Sequence, residues 1–334
     1  MGIGVLGVGY YAPEVEVGNA QISEWTGATS EWIDERTGVH TRRYAAATQA
    51  TSDLAVNAAR EALRDADCAP ARVGVLAVAT STPDQPLPGT AAHVQREVGL
   101  PGSAAFDINA VCSGFVYGCV TAASILLAGG SSGPRQAGRD RALVVGADMY
   151  SRIMNRGDRR TVTLFGDGAG AAVLGPVPDG YGILGYSLTC DGRLAGLVDV
   201  PAGGTRLPLS DEVYQRNEHL FRMDGRAVKE YAMAVVPKMV DECAANAGIA
   251  TGEIDRVILH QGNVRMVETL ARHLGFPTGR VEISADRYGN TAAASVPMTL
   301  AMSHQRSPLQ RGDVVLLACV GGGMTAGAVL IRWF

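Results

Sequence analysis

Cys112 is the side chain in this sequence best suited to form a covalent intermediate. It follows a β-type run, Ala104 to Ile108, and a tight turn, and it opens a long small-residue helix expected over 113–128. At a helix N-terminus the unpaired N–H groups and the positive end of the dipole favour a thiolate. Such a position lowers a cysteine pKa from about 8.5 towards or below neutrality. Ser113 and Gly114 are small and leave the sulfur approachable. A buried packing cysteine at a strand end fits the same pattern, so position alone leaves both readings open. Two further side chains stand at comparable places. His260 ends the apolar run Val257 to Leu259, and Asn290 lies in the turn Gly289-Asn290-Thr291. Both side chains carry N–H groups that can donate hydrogen bonds. Singly, each also has an ordinary structural explanation: a satisfied histidine at a strand end, and a turn asparagine that tolerates left-handed backbone.

The elements that must position these groups alternate between strand and helix. Ile3 to Val8, Val73 to Thr80, Leu143 to Gly146 and Ala171 to Leu174 read as strands. Short helices are expected near 21–25 and 30–34, and Ser52-Asp53-Leu54 caps an amphipathic helix reaching Asp65. Thr90 to Val98 is a helix after the Pro-rich loop Ser81 to Gly89, and Gly225 to Ala247 is another, with Pro237 an interior irregularity. Gly129 to Asp140 reads as a polar, flexible loop.

The second half echoes the first. The helix and strand of Glu61 to Thr80 recur as Val240 to His260. Val94 to Val98, Gly99-Leu100-Pro101 and Ala104 to Ile108 recur as Thr269 to Leu274, Gly275-Phe276-Pro277 and a strand Val281 to Ser284. Arg139 to Gly146 recurs as Arg311 to Ala318, and Gly168 to Leu174 recurs loosely as Gly323 to Leu330. Four features in one order predict two pseudo-symmetric α/β halves, 1–175 and 176–334. With no linker between them, one five-layer α-β-α-β-α body is more economical than two tethered domains. Such symmetry gathers strand ends of both halves, and with them Cys112, His260 and Asn290.

Composition bounds the function. The chain has 334 residues, 47% hydrophobic and 19% charged, enough for a sizeable core. Net charge is −4 and no Lys/Arg block stands out, so nucleic acid is not an expected partner. No basic segment with an apolar core opens the sequence, and no apolar run reaches about 18 residues without polar breaks. Neither a signal peptide nor a membrane span is expected, and the location expected is cytoplasmic. The six cysteines form no CxxC pair, which suits reduced thiols, and no His/Cys cluster has metal spacing. Gly2 to Gly7 matches GxGxxG, but a strand occupies it and none precedes it; Gly129 to Gly133 matches GxSxG, but after a helix.

Asp107 to Phe115 (DINAVCSGF), Leu259 to Asn263 (LHQGN) and Arg287 to Pro297 (RYGNTAAASVP) closely resemble three active-site motifs of β-ketoacyl-acyl-carrier-protein synthase III enzymes, which have the thiolase fold. Glu31 to Val39 (EWIDERTGV), Phe165 to Ala171 (FGDGAGA) and Gly321-Gly322-Gly323 resemble that family too, so the likeness spans the whole chain in order. The resemblance implies a decarboxylative Claisen condensation. Cys112 takes an acyl group from an acyl-CoA, malonyl on an acyl-carrier protein loses CO₂, and its carbanion attacks the acyl-enzyme. His260 and Asn290 would hold the nascent enolate oxygen, and the N–H groups of Cys112 and Gly322 would form the oxyanion hole. The product would serve fatty-acid initiation or polyketide priming. No cofactor is implied beyond the coenzyme A thioester, which is substrate.

Binding residues follow from the same likeness. Trp32 and Arg36 match positions that hold the adenine of coenzyme A, Arg152 a position at that nucleotide end, and Asn263 one in the pantetheine tunnel. Leu87 matches a position, often Phe in relatives, that crosses a homodimer interface to floor the partner's acyl pocket; the smaller side chain suggests a primer larger or more branched than acetyl. Arg265 and Arg272, seven residues apart on the helix after His260, share a face that would meet an acidic carrier protein or simply be solvated. Two positions depart from the pattern: Val320 replaces an aromatic before the glycine trio, and Gly262 an alanine after His260-Gln261. An alternative is a thiolase-fold acyltransferase passing the acyl group to an alcohol or amine, for which a carboxylate would suit position 290 better. A degradative thiolase would need a second cysteine in the glycine loop, and an inactive partner subunit would not keep all three side chains.

Overall fold

The computed structural model describes residues 1–128 and 138–334. The GxSxG match at 129–133 and most of the polar loop lie outside the described residues. The strands are β1 (Gly2–Tyr11), β2 (Val15–Gly18), β3 (Thr41–Tyr44), β4 (Val73–Ala79), β5 (Ala104–Ile108), β6 (Arg141–Met149), β7 (Asp167–Val177), β8 (Gly182–Cys190), β9 (Val198–Asp199), β10 (Arg222–Met223), β11 (Arg256–Leu259), β12 (Val314–Gly321) and β13 (Thr325–Arg332). The helices are α1 (Asn19–Thr26), α2 (Ser30–Thr37), α3 (Thr51–Asp65), α4 (Thr90–Val98), α5 (Gly114–Ala128), α6 (Asp211–Gln215), α7 (Gly225–Ala247), α8 (Val264–His273), α9 (Ala285–Tyr288) and α10 (Ser295–Arg306).

Two sheets carry the site. One has the order β1-β7-β6-β4-β5 and the other β8-β13-β12-β11. Each begins with two antiparallel pairings; the first sheet continues with two parallel ones and the second with one. The central strands are continuous apolar runs such as Val73–Ala79 and Val314–Gly321, buried on both faces, which such a layered sheet requires. Helices α5 and α10 lie between the sheets and touch strands of both. Helix α3 covers the outer face of the first sheet, and α7 that of the second. The layering is therefore α-β-α-β-α. Phe115 and Val116 of α5 and Val296 and Leu300 of α10 share one core with Val144, Leu317 and Val329.

A helix that meets a sheet on either side is apolar nearly all round. That explains why Val111–Ala128 passes by length and composition as a membrane span, against the sequence expectation, while 56% of that window is buried inside the protein. Two more expectations change. The strand foreseen over 281–284 shrinks to a single bridge between Val281 and Val257. The Gln261 side chain takes over beyond it, its Oε1 accepting from the Ser284 and Ala285 N–H groups. Pro237 lies inside α7, which runs through it.

Candidate active site

Cys112 sits where β5 hands over to a one-turn 3₁₀ segment, Val111–Ser113, that leads into α5. The preceding turn is strained. Val111 is β-branched yet has φ +48°, a conformation such residues rarely adopt. The Asp107 carboxylate fastens the end of β5 by accepting from the Thr90 and Ala91 N–H groups, both at 2.7 Å.

Burial reverses the acidity expected of this thiol. Cys112 is 8% exposed. Its pKa is raised well above the ordinary value, chiefly by desolvation and further by the charges of Asp148 and Cys319. A backbone hydrogen bond at Cys112 itself pulls the other way, but more weakly. At neutral pH the group is a thiol.

The glycine loop faces it. Thr325 Oγ1 lies 3.0 Å from the Ala110 carbonyl and 3.1 Å from that of Gly322, tying the β12–β13 turn to the turn before Cys112. A Cβ on Gly321 would sit 2.8 Å from the Cys112 nitrogen and 2.9 Å from that of Ser113. Only hydrogen at that position leaves the Cys112 N–H open to an incoming oxygen.

His260 ends β11, with its N–H donated to Ala318 O at 2.8 Å. Its Nδ1 lies 2.7 Å from Ser295 Oγ, at the start of α10. Burial lowers its pKa to about 4. The imidazole is therefore neutral at pH 7, and a proton on Nε2 suits a Ser295 hydroxyl that donates to Nδ1. The sign of the linkage follows. Unfolded His titrates near its ordinary value of about 6.5 and binds protons that the folded form rejects. Stability is thus complete above that value and falls as pH drops towards the folded pKa. Condensation by pre-acylated protein should show no ionisation near pH 6.5 and stay level between about pH 5.5 and 7.5. A single-turnover pH profile with a midpoint near 6.5 would contradict the neutral, buried imidazole.

Asn290 docks by its main chain onto the segment before β7. Its N–H donates to Leu164 O at 2.8 Å, and its carbonyl accepts from Gly166 N–H at 3.0 Å. Gly289 permits this: its φ is +65°, and a Cβ there would lie 2.5 Å from Leu164 O. Asn290 Oδ1 accepts from Ala292 N–H at 2.9 Å. That bond fixes which way the amide points and leaves Nδ2 as the group available to a substrate.

Cys112, His260, Asn290, Gly321 and Gly322 all line one narrow cavity of about 90 Å³. Asn263 lines it as well, and its side chain also caps α8 by accepting from Met266 N–H. Tyr150, Phe165 and Phe221 form an aromatic wall, with Tyr150 stacked on Phe165 at 4.6 Å. Val320 and Gly262, the two positions that depart from the motif pattern, are part of the same lining.

The other sequence-derived residues lie away from it. Trp32, on α2, has the Arg36 guanidinium 6.0 Å from its ring centroid, and Arg159 approaches to 5.2 Å. Arg159 was not foreseen; the only sequence signal was the Asp158-Arg159-Arg160 cluster before Thr161. Arg152 instead donates to the carbonyls of Ala46, Ala47 and Gln49. Leu87 is 83% exposed in the isolated chain. Arg265 leans on the Asp34 and Glu35 carbonyls at the end of α2 and pairs with Glu268, whereas Arg272 is exposed and meets Thr269 Oγ1. Among the described residues no group of His, Cys, Asp or Glu has the arrangement of a metal site.

Two sheets enclosing a central helix pair, each covered on its outer face by helix, make the thiolase fold, and in it Cys112, His260 and Asn290 line one cavity. Comparison with known proteins narrows the class. The family model described as 3-oxoacyl-[acyl-carrier-protein] synthase III matches residues 106–192, and its C-terminal counterpart matches 244–333. Acetoacetyl CoA synthase NphT7 of Streptomyces sp. (strain CL190) is 42% identical over 98% of this chain and 98% of its own. The β-ketoacyl-[acyl-carrier-protein] synthase III of Caldanaerobacter subterraneus subsp. tengcongensis is 40% identical over 99% and 97%. The crystal structure of 3-oxoacyl-[acyl-carrier-protein] synthase III from Aquifex aeolicus VF5 superposes with a TM-score of 0.89 at 34% identity, covering 99% of this chain and 100% of that one. The priming β-ketosynthase of the R1128 polyketide pathway gives 0.89 at 29% identity, over 99% and 96%. The chain belongs to the 3-oxoacyl-acyl-carrier-protein synthase III family.

Proposed function

We propose that this protein condenses an acyl-CoA primer with malonyl-acyl-carrier protein, releasing CO₂ and giving a β-ketoacyl-acyl-carrier protein. The observation that carries this reading is the convergence of Cys112, His260, Asn290 and the glycine loop on one cavity. In the first stage the Cys112 sulfur attacks the thioester carbonyl, and the oxyanion meets the Cys112 and Gly322 N–H groups. The tetrahedral adduct expels coenzyme A, which leaves with the proton lost by the thiol. In the second stage the malonyl carboxylate departs as CO₂, and its bonding pair becomes an enolate. His260 Nε2–H and Asn290 Nδ2–H stabilise the enolate oxygen. The enolate carbon bonds to the acyl carbonyl, and the Cys112 sulfur leaves and regains a proton from solvent. Trp32 with Arg36 and Arg159 suits the adenine and phosphates of coenzyme A, since guanidinium groups pair with phosphate and stack on aromatic faces. Intact-mass measurement of wild-type and Cys112→Ala protein after incubation with acyl-CoA tests the first stage. Loading of the variant at the normal rate would sink the mechanism.

A second reading concerns the carrier of the malonyl group. One relative is named for a product on coenzyme A. Arg265 is occupied by Glu268 and by two carbonyls, so α8 presents a weaker basic face than its sequence suggested. Malonyl-CoA in place of malonyl-acyl-carrier protein is therefore the rival second substrate. Turnover compared on the two malonyl donors separates them.

We also propose a cytoplasmic homodimer of two-half subunits. Strand β5 is the free edge of its sheet, with Ala104 and Ala105 exposed, and such an edge invites pairing with a second copy. The exposed Leu87 would then floor the partner's acyl pocket. Leu87→Phe is expected to lower turnover of branched or longer primers relative to acetyl by about tenfold, the scale of small changes in an apolar pocket. No change in chain-length preference in matched assays would remove Leu87 from the pocket.

A further inference from the structure

One buried carboxylate takes no part in the chemistry above. Asp148, on β6, is 0% exposed and does not line the cavity. Every hydrogen bond it makes is accepted. Oδ1 receives Thr80 Oγ1, the N–H and Oγ of Ser81, and the N–H and Oγ1 of Thr82, at 2.8–3.1 Å. Oδ2 receives a single donor, the N–H of Ala293, at 2.9 Å. Such a donor set satisfies a carboxylate and has no place for an amide N–H₂.

The Ala293 bond matters because of where Ala293 stands. Asn290 Oδ1 is held by Ala292 N–H, and Ala292 has φ +49°, a left-handed conformation costly for alanine. The turn persists only if its surroundings impose it. The next residue along is the one fastened to Asp148. Gly146, also on β6, lets the turn come close: a Cβ there would lie 2.3 Å from Ala293 O. We propose that Asp148 is the positioning residue for Asn290, holding the 291–293 turn so that the amide keeps Nδ2 aimed at the enolate oxygen. The inference rests on the reading of Asn290 as a donor in condensation. Asp148 does not touch substrate; it acts through Ala293 and Ala292.

The test separates the two half-reactions. Asp148→Asn replaces an acceptor with a donor–acceptor of the same shape. Ala293→Pro removes the N–H that Oδ2 receives and restricts the backbone of Ala292 before it, while sparing the loop at 80–82. For each variant, acylation of Cys112 by acyl-CoA is followed by intact mass, and condensation is followed by single turnover of pre-acylated protein. Both variants should load within about threefold of wild type and lose at least about thirtyfold in condensation, as a displaced oxyanion donor does. Combining either with Asn290→Ala should cost nothing further, because the pair acts as one unit. Additive losses, or equal losses in both half-reactions, would overturn the proposal. So would failure of both variants to fold, since Asp148 would then serve the fold rather than the amide. Asn290→Ala measured alone keeps the outcomes apart. If it condenses normally, the donor reading of Asn290 falls and this inference with it. If it is inactive while Asp148→Asn and Ala293→Pro condense normally, only the inference falls.

Discussion

Asn290→Ala is expected to acylate Cys112 at the wild-type rate and to lose about 10²- to 10³-fold in condensation, the usual cost of one oxyanion donor. The split follows from geometry. On the proposed mechanism nothing in the loading stage needs a donor at position 290, because the thioester oxygen would be held by the Cys112 and Gly322 N–H groups. The proposed enolate, by contrast, would use Nδ2, the free atom of an amide whose Oδ1 is committed to Ala292. His260→Ala should behave alike, since the neutral imidazole held by Ser295 would supply the other donor in the proposed mechanism. Parallel measurement of acyl-enzyme formation and of single-turnover condensation checks both. Equal losses in both half-reactions would show that these side chains hold the cavity together rather than serve the second stage.

Gly321→Ala should do the reverse and stop the reaction at its start. The added methyl would sit 2.8 Å from both the Cys112 nitrogen and the Ala110 carbonyl oxygen, in backbone that has no slack. It would crowd the N–H proposed to hold the loading oxyanion, so acylation should fall by at least about 10²-fold. Gly322→Ala is the control. Its nearest neighbours are the Val198 side chain atoms at 3.2 Å, which can shift, and a backbone N–H survives the substitution. The loss there should be far smaller. Rapid-quench acylation of the two variants gives the comparison. Wild-type loading by Gly321→Ala would mean that the oxygen binds elsewhere.

The layered fold was legible because its strands are unbroken apolar runs and its two halves repeat their punctuation: Gly99-Leu100-Pro101 against Gly275-Phe276-Pro277. The repeat also suggested that Cys112, His260 and Asn290 would gather, and all three line one cavity, although Asn290 follows a helical turn rather than a strand. What burial decides was not legible. The helix start at Cys112 argued for a thiolate, but a buried sulfur beside Asp148 reverses the direction. Strand 281–284 was read from its echo, yet there the Gln261 side chain replaces a strand partner. Arg159, which reaches Trp32, is marked in the sequence only by its charged cluster, and Asp148, which reaches Ala293 across 145 residues, carries no local signature. Arg152 was assigned to the nucleotide end from the family likeness, and only the structure shows its guanidinium donating to the carbonyls of Ala46, Ala47 and Gln49.

The most direct measurement is intact-protein mass spectrometry of the wild-type chain with a mixed acyl-CoA panel, before and after addition of malonyl-acyl-carrier protein. An acyl adduct that maps to Cys112 and disappears as β-ketoacyl-acyl-carrier protein forms is the predicted result, and its mass names the primer. An adduct that persists while the malonyl donor stays unconsumed, with malonyl-CoA equally inert, would contradict condensation and turn the search to an alcohol or amine acceptor.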